Sequence, residues 1–417
     1  HLIQPIPPIC ATNNPTNPTN RTLHVCRKCI LEQFALEFVI HDFFSQSCVR
    51  TTDPHRADFF YLPLIRDAEY RVQLGGRLGR RDRRAPSATE TALLDLMERN
   101  DSTAFRRTFG VSDQWWKRKG GADHIIIMPA PVTNLRHESS KRGFFHYRSH
   151  LFPPIFVGVE YSRSFLQTFP VCSTLKNILV PYPTTDPALF SGFLHSDHVE
   201  RNALLYYAGG VHGDCVEVRK AMKFLVINST SLPRVVAGFQ SNMKEREHGF
   251  RAAIFCPIPV GDSPSSKRMY DVLHFGCIPV VLSDDLVYAY SAEAGAHLDP
   301  ATFALRLPQD VVQFDAQTLL RRYQDKPLAL GLLPSTHGGG HSIYDLLHAS
   351  VAKGGDYWGG KYVNPLVQIL MRVPRADIST LQRGVNHVAQ FFRFYPLPTD
   401  ELYPFAIAGS PGAGSSR

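Results

Sequence analysis

Ala253-Ile-Phe-Cys-Pro-Ile-Pro-Val260, the loop Gly261-Asp-Ser-Pro-Ser-Ser-Lys-Arg268, and Cys277-Ile-Pro-Val-Val-Leu-Ser283 together decide the fold class. The two outer runs are short, continuous and apolar, the pattern of strands buried on both faces. Between them Met269, Val272, Leu273 and Gly276 recur at helical spacing, which predicts a short helix over 267–276. Strand, helix and strand in so short a span form a βαβ unit. Its crossover is right-handed and its strands are parallel, so the class is α/β.

The loop inside this unit carries the strongest chemical signal. In open parallel sheets ligands bind beyond the carboxyl ends of strands, and Gly261–Arg268 sits there. Gly261 lets a ligand come close to the backbone. Ser265 or Ser266 caps the helix and, with the free N–H groups of its first turn, can hold phosphate oxygens. Arg268 offers a fork of donors to a diphosphate. Lys267 and Arg268 in the first turn oppose the helix dipole, which is unfavourable unless an anion is bound. Arg268 and Asp271 lie beside the apolar stripe of this helix one turn apart, so the carboxylate can take ribose hydroxyls while the guanidinium takes phosphate. The alternative reading is an ordinary polar βα loop.

Outward from this unit, further strands are expected at 57–65, 124–128, 176–181 and 201–210. Buried helices are expected at 29–44, where Ile30, Phe34, Phe38 and Phe43 recur, and at 379–394, where Leu381, Val385, Val388 and Phe392 share one side. Residues 1–22 are rich in Pro, Asn and Thr and read as a stalk or linker. Residues 75–86, rich in Gly and Arg, read as a solvated loop or an anion-binding arm. The polar segment 184–200 marks a boundary, giving an N-terminal domain over 23–195 and a C-terminal domain over 196–395. Residues 312–365, with Gly-rich runs such as His337-Gly-Gly-Gly-His341, read as a loop-rich insertion in the second domain. The Gly/Ser-rich end completes a tail over 396–417.

Composition narrows the class. The chain is 44% hydrophobic and 20% charged, enough apolar material for sizeable cores, which excludes a disordered protein. Its 45 Lys and Arg against 37 Asp and Glu leave a net charge of +8, which suits an anionic partner or substrate. Basic and aromatic residues do not interleave, so nucleic acid is not the expected partner. No apolar stretch is long enough for a transmembrane helix. Of 8 cysteines, Cys10, Cys26, Cys29 and Cys48 crowd the beginning. Cys26-x-x-Cys29 has no second pair to complete a zinc ribbon. Disulfides of a secretory compartment, buried thiols and a metal site stand in that order. Three sequons, at Asn20, Asn100 and Asn228, favour the lumenal address.

Phe255-Cys-Pro-Ile-Pro-Val-Gly-Asp-Ser-Pro-Ser-Ser-Lys-Arg-Met-Tyr-Asp271, followed by Gly276-Cys-Ile-Pro-Val-Val281, resembles the signature of the exostosin glycosyltransferases. Thr52-Asp-Pro-His-Arg-Ala-Asp-Phe-Phe-Tyr-Leu-Pro63 and Trp115-Trp-Lys-Arg-Lys-Gly-Gly-Ala-Asp-His124 are similar to two further blocks of that family, in the same order. The resemblance implies a GT-B fold, two Rossmann-like domains facing across a cleft, with the acceptor on the first and a nucleotide sugar on the second. It implies inverting transfer from a UDP-sugar to a glycan or glycoprotein acceptor, with no metal required for the chemistry and Mn²⁺ dependence open. The donor would lie against Gly261, Ser263, Ser265, Ser266, Arg268 and Asp271. It further implies the Golgi or endoplasmic-reticulum lumen, behind a type II membrane anchor lying outside this sequence.

The catalytic residues are less defined. Members of the family often carry His-Asp at the far end of the strand after the Asp-His pair; here Ala130 and Pro131 stand there and cannot act as a base. Asp123 and His124 remain candidates, as does Asp284 after the next strand of the signature, while their structural reading is a turn-ordering pair and a strand-ending turn. His137 and Glu138 are substitutes. The rival to an active transferase is a catalytically silent exostosin-like subunit that binds or stabilises a partner glycosyltransferase.

Overall fold

A computed structural model of the chain describes residues 36–62, 95–96, 102–109, 112–128, 154–160, 177–183, 201–211, 216–229, 235–238, 243–261, 263–333, 342–355, 357–358 and 361–392. The stalk at 1–22, the arginine-rich segment 75–86, the boundary segment 184–200 and the tail at 396–417 lie outside the described residues, as do Asn20, Asn100, His137, Glu138, His337 and His341.

The first half holds a helix α1 (Leu36–Gln46), strand β1 (Phe60–Leu62), helices α2 (Ser102–Phe109) and α3 (Gln114–Arg118), and strands β2 (His124–Met128), β3 (Ile155–Gly158) and β4 (Asn177–Leu179). Of the strand expected at 57–65, β1 is the part within the described residues, and ahead of it Pro54–Arg56 forms a tight turn whose Asp53 side chain accepts the His55 N–H at 3.0 Å. The strands pair in parallel in the order β1-β2-β3-β4.

The second half alternates strand and helix: β5 (Ala203–Ala208), α4 (Val216–Ser229), β6 (Val235–Gly238), α5 (Met243–Ala252), β7 (Ala253–Pro259), α6 (Lys267–His274), β8 (Ile278–Leu282) and β9 (Leu305–Arg306). All pair in parallel, in the order β6-β5-β7-β8-β9. Every residue of β5 and β8 is buried, as strands covered on both faces require. The βαβ unit read from the sequence is β7-α6-β8. Helix α6 stops because Gly276 takes the left-handed conformation at φ 70°; its N–H bonds the Leu273 carbonyl and the next, of Cys277, the Val272 carbonyl. Arg201, ahead of β5, gathers the carbonyls of Phe250, Arg251 and Ala253 on one nitrogen and of Phe275 on another. It thereby closes the carboxyl ends of α5 and α6 together. Cys256 on β7 is disulfide-bonded to Cys277 at the start of β8, whereas Cys48 of the N-terminal cysteine group is free and exposed.

The expectation of a loop-rich 312–365 is corrected by the described part of this segment. It follows α7 (Asp310–Gln313) and contains α8 (Ala316–Tyr323), α9 (Ile343–Ala352) and the antiparallel pair β10 (Tyr357–Trp358) and β11 (Lys361–Tyr362). Asp315 caps α8 by accepting the Thr318 N–H at 2.8 Å, and Leu319, Ile343 and Leu347 are fully buried. Short amphipathic stripes flanked by glycine gave a weaker periodic signal than the burial that they support. Then come α10 (Pro365–Leu370), with Asn364 as cap and Pro365 at its first position, and α11 (Arg375–Val388). Helix α11 packs on α6 and β8, so the carboxyl-terminal helix braces the βαβ unit.

Candidate functional site

In the second sheet β5 is followed by β6 on one side and by β7 on the other. The order therefore reverses between β5 and β7, and the crevice beyond their carboxyl ends is where such sheets bind ligands. Two glycines line it. A Cβ on Gly209, just past β5, would stand 2.6 Å from Arg268 Nη2. On Gly261, past β7, it would stand 2.7 Å from Arg219 Nη2. Both positions are kept open for guanidinium groups.

Arg219 projects from α4, where it takes a place in the buried stripe with Met222 and Val226. Its Nε donates to the Val260 carbonyl and its Nη1 to that of Gly210, each at 3.1 Å, bridging the two sides of the crevice. Arg268, in the first turn of α6, lies 5.1 Å over the Tyr207 ring. Arg268 Nη1 and the Tyr207 hydroxyl are buried with no hydrogen-bond partner among the described residues. Burial lowers the Arg268 pKa below the usual guanidinium value; Tyr207 opposes that shift and the charge of Arg219 adds to it. An anion bound between the guanidiniums would relieve their repulsion and satisfy both orphaned groups.

The loop between β7 and α6 is held at several points. The Gly261 N–H bonds the Ser263 carbonyl at 3.0 Å, and Ser283 Oγ, past β8, bonds the Pro264 carbonyl at 2.7 Å. Ser263 Oγ donates to Glu160 Oε2 at 2.5 Å and the Ser265 N–H donates to the same oxygen at 2.6 Å; Ser265 Oγ donates there too. Ser266 is the extended residue before α6, and its side chain makes no capping bond. The Asp271 carboxylate is paired with Lys267 Nζ at 2.5 Å, which offsets the lysine that opposes the helix dipole.

The three catalytic candidates separate. Asp284 follows β8, at the same sheet edge as the loop. Its Oδ1 accepts the Gln309 N–H at 3.2 Å, and it lines a cavity of about 770 Å³ with Arg306, Tyr288 and His297. Asp123 and His124 stand at the amino end of β2, whereas Glu160 stands past the carboxyl end of β3, so the pair is not brought to the loop. Asp123 Oδ2 accepts Arg118 Nη2 at 2.6 Å and its Oδ1 faces His124 Nδ1 at 2.9 Å. Burial alone would raise the Asp123 pKa, but Arg118 and His124 bring it below the ordinary value. The His124 ring packs against Phe60 and Trp116, and burial lowers its pKa to about 4 despite Asp123. Of the sequons described, Asn228 is exposed near the end of α4. Among the described residues no group of three or more His, Cys, Asp or Glu side chains gathers as metal ligands, and no helix is long and apolar enough to cross a membrane.

Arg219, Tyr207 and Glu160 were not singled out from sequence. An arginine within the apolar stripe of 216–229 and a glutamate closing the apolar run Ile155–Val159 are the signals that point to two of them.

The family model described as the Exostosin GT47 domain matches residues 13–323. A probable glucuronosyltransferase of Physcomitrium patens is 25% identical over 272 residues, covering 63% of this chain and 55% of its own length. One of Oryza sativa subsp. japonica is 28% identical over 270 residues, covering 63% and 58%. A probable beta-1,4-xylosyltransferase of Arabidopsis thaliana is 23% identical over 287 residues, covering 66% and 63%. The chain thus spans a little over half the length of the first two relatives, and 63% of the third.

Proposed function

The chain belongs to the exostosin GT47 family, a family of glycosyltransferases, and on that premise we propose that it transfers a sugar from a UDP-sugar to a glycan or glycoprotein acceptor with inversion. The observation that carries this reading is the pair of guanidiniums, Arg219 buried and Arg268 with its Nη1 buried and unpartnered among the described residues, set against glycine walls at the reversal between β5 and β7. A nucleoside diphosphate fits that chemistry. Its two phosphates neutralise both arginines, and the start of α6 adds N–H donors.

In this reading the acceptor hydroxyl oxygen attacks the anomeric carbon as the bond to the diphosphate oxygen breaks. The hydroxyl proton passes to a base, and Arg268 and Arg219 stabilise the charge that gathers on the departing UDP. Of the candidate carboxylates, Asp284 is assigned to the sugar side, because it shares the donor edge. Asp123 and His124 are assigned to holding β2 against α3. The GT-B arrangement, with an acceptor-side domain over 23–195 and a donor domain over 196–395, is part of the proposal. So are metal-independent chemistry, a lumenal address in the Golgi or endoplasmic reticulum and glycosylation at Asn228. Because relatives are named glucuronosyl- and xylosyltransferases, UDP-glucuronic acid and UDP-xylose are the donors to test first.

The test is thermal shift and UDP release with a panel of UDP- and GDP-sugars, with Mn²⁺ and with EDTA, on wild type and Arg268→Ala. Stabilisation by UDP and its release from one sugar, both lost in a folded Arg268→Ala protein, are expected. Equal UDP binding by that variant would remove the site, and activity abolished by EDTA would refute metal independence.

A further inference from the structure

Two residues from the first half of the chain, Glu160 and Tyr182, and two from the donor loop, Ser263 and Ser265, form one buried network. Glu160, just past β3, is 1% exposed, and a single oxygen of its carboxylate takes three donors: Ser263 Oγ, the Ser265 N–H and Ser265 Oγ. Tyr182, just past the neighbouring β4 and also buried, lies with its hydroxyl 3.0 Å from Ser265 Oγ. A hydroxyl has one proton to give. Because Ser265 Oγ donates to Glu160, the bond with Tyr182 must run the other way, from Tyr182 O–H to Ser265 Oγ. The tyrosine is suited to a donor's part, since burial and then the charge of Glu160 raise its pKa well above the ordinary value. The contacts span 83, 103 and 105 positions of sequence, so they join β3 and β4 of one sheet to the β7–α6 loop of the other.

We infer that Glu160, with Tyr182 behind it, is a positioning residue for the donor: it fixes the Ser263–Ser265 loop from the opposite sheet and so sets the shape that a nucleoside diphosphate meets at Gly261 and Arg268. Charged acceptors hold such donors about twice as strongly as neutral ones, and three on one oxygen leave the loop little freedom. The loop's own sheet supplies the Ser283 bond to the Pro264 carbonyl and the internal Gly261–Ser263 bond, whereas the Ser263 and Ser265 hydroxyls and the Ser265 N–H are anchored by Glu160. Donor affinity therefore depends on the first half of the chain without that half touching the diphosphate. This rests on the donor reading of the Gly261–Arg268 loop.

The experiment pairs hydrogen exchange with UDP affinity in wild type, Glu160→Ala, Glu160→Gln, Tyr182→Phe and, as a control for the donor reading, Arg268→Ala. The Ser265 amide and its loop are expected to exchange at least ~10-fold faster in Glu160→Ala, with β7 and β8 unchanged. UDP should bind at least ~10-fold more weakly there, with Glu160→Gln and Tyr182→Phe intermediate, each tenfold being the 1.4 kcal/mol of one decade. A purely structural role would lower the melting temperature but leave loop exchange and UDP affinity together near wild type, which would overturn the inference. Should Glu160→Ala not fold, the two conservative variants decide by the same criterion. If wild type does not bind UDP, or Arg268→Ala binds it normally, the donor reading fails; unchanged loop exchange in the Glu160 variants sinks the positioning role of Glu160 by itself.

Discussion

Arg219 Nη2 stands 2.7 Å from the point that a Cβ on Gly261 would occupy, although the two residues belong to different strand–helix units of the sheet. The same holds for Arg268 and Gly209, at 2.6 Å. Gly261→Ala and Gly209→Ala should each push a guanidinium out of the crevice and weaken UDP binding about tenfold, or roughly 1.4 kcal/mol. Calorimetric titration of the folded variants measures this, and affinities within a factor of two of wild type would contradict the guanidinium walls.

Asp123 and His124 test the division between scaffold and chemistry. Asp123→Asn leaves Arg118 and His124 beside a neutral partner and should cost about 3 kcal/mol of stability, as broken buried pairs do. Turnover at saturating donor, measured below the lowered melting temperature, should stay near wild type. A kcat loss of 100-fold or more would return this pair to the catalytic machinery.

The same histidine makes a pH prediction. In the unfolded chain His124 takes up a proton near its ordinary pKa of 6.5, but in the folded chain only near 4. Between those values the unfolded state binds more protons, so this group's contribution to stability falls as the pH is lowered from about 6.5 to about 4. In His124→Asn the loss across that window should shrink. Urea midpoints at pH 7, 5.5 and 4.5 give the slope directly.

The Cys256–Cys277 bridge closes a loop of 21 residues around the βαβ unit. Opening it, by reduction or in the double serine variant, should lower stability by about 3 kcal/mol through the freed unfolded chain. Denaturant curves with and without reductant test this, and superimposable curves would argue against a formed bridge.

Arg201 should matter as much without touching any ligand. It draws four carbonyls at two helix ends onto one guanidinium, and Arg201→Met would leave them in an apolar setting. A loss of about 3 kcal/mol is expected, with UDP affinity of the folded fraction unchanged.

Much of the second sheet was legible in the sequence because its signal is local. The strand pattern of 253–259 and 278–282, the apolar stripe of 267–274 and the glycine that ends it lie within one stretch of about 30 residues. Periods of this kind report burial directly. The strand at 235–238 and the helices at 216–229 and 243–252 went unmarked, as did the helical character of 316–323 and 343–352. Their stripes are short, and their place is set by the sheet that they cover.

The candidate site divides in the same way. Gly261, Ser263, Ser265, Ser266 and Arg268 share one loop and helix start, so sequence alone could propose an anion site there. Arg219, Tyr207, Glu160 and Tyr182 lie far from that loop along the chain. Only the parallel ordering of strands brings their ends to the same edge, and only burial makes an unpartnered guanidinium or a shared carboxylate oxygen informative. Sequence determined the class of fold and the loop proposed to meet a ligand, because those follow from neighbours along the chain. Tertiary structure decided which charges surround that loop, because electrostatic partners are chosen by distance in space.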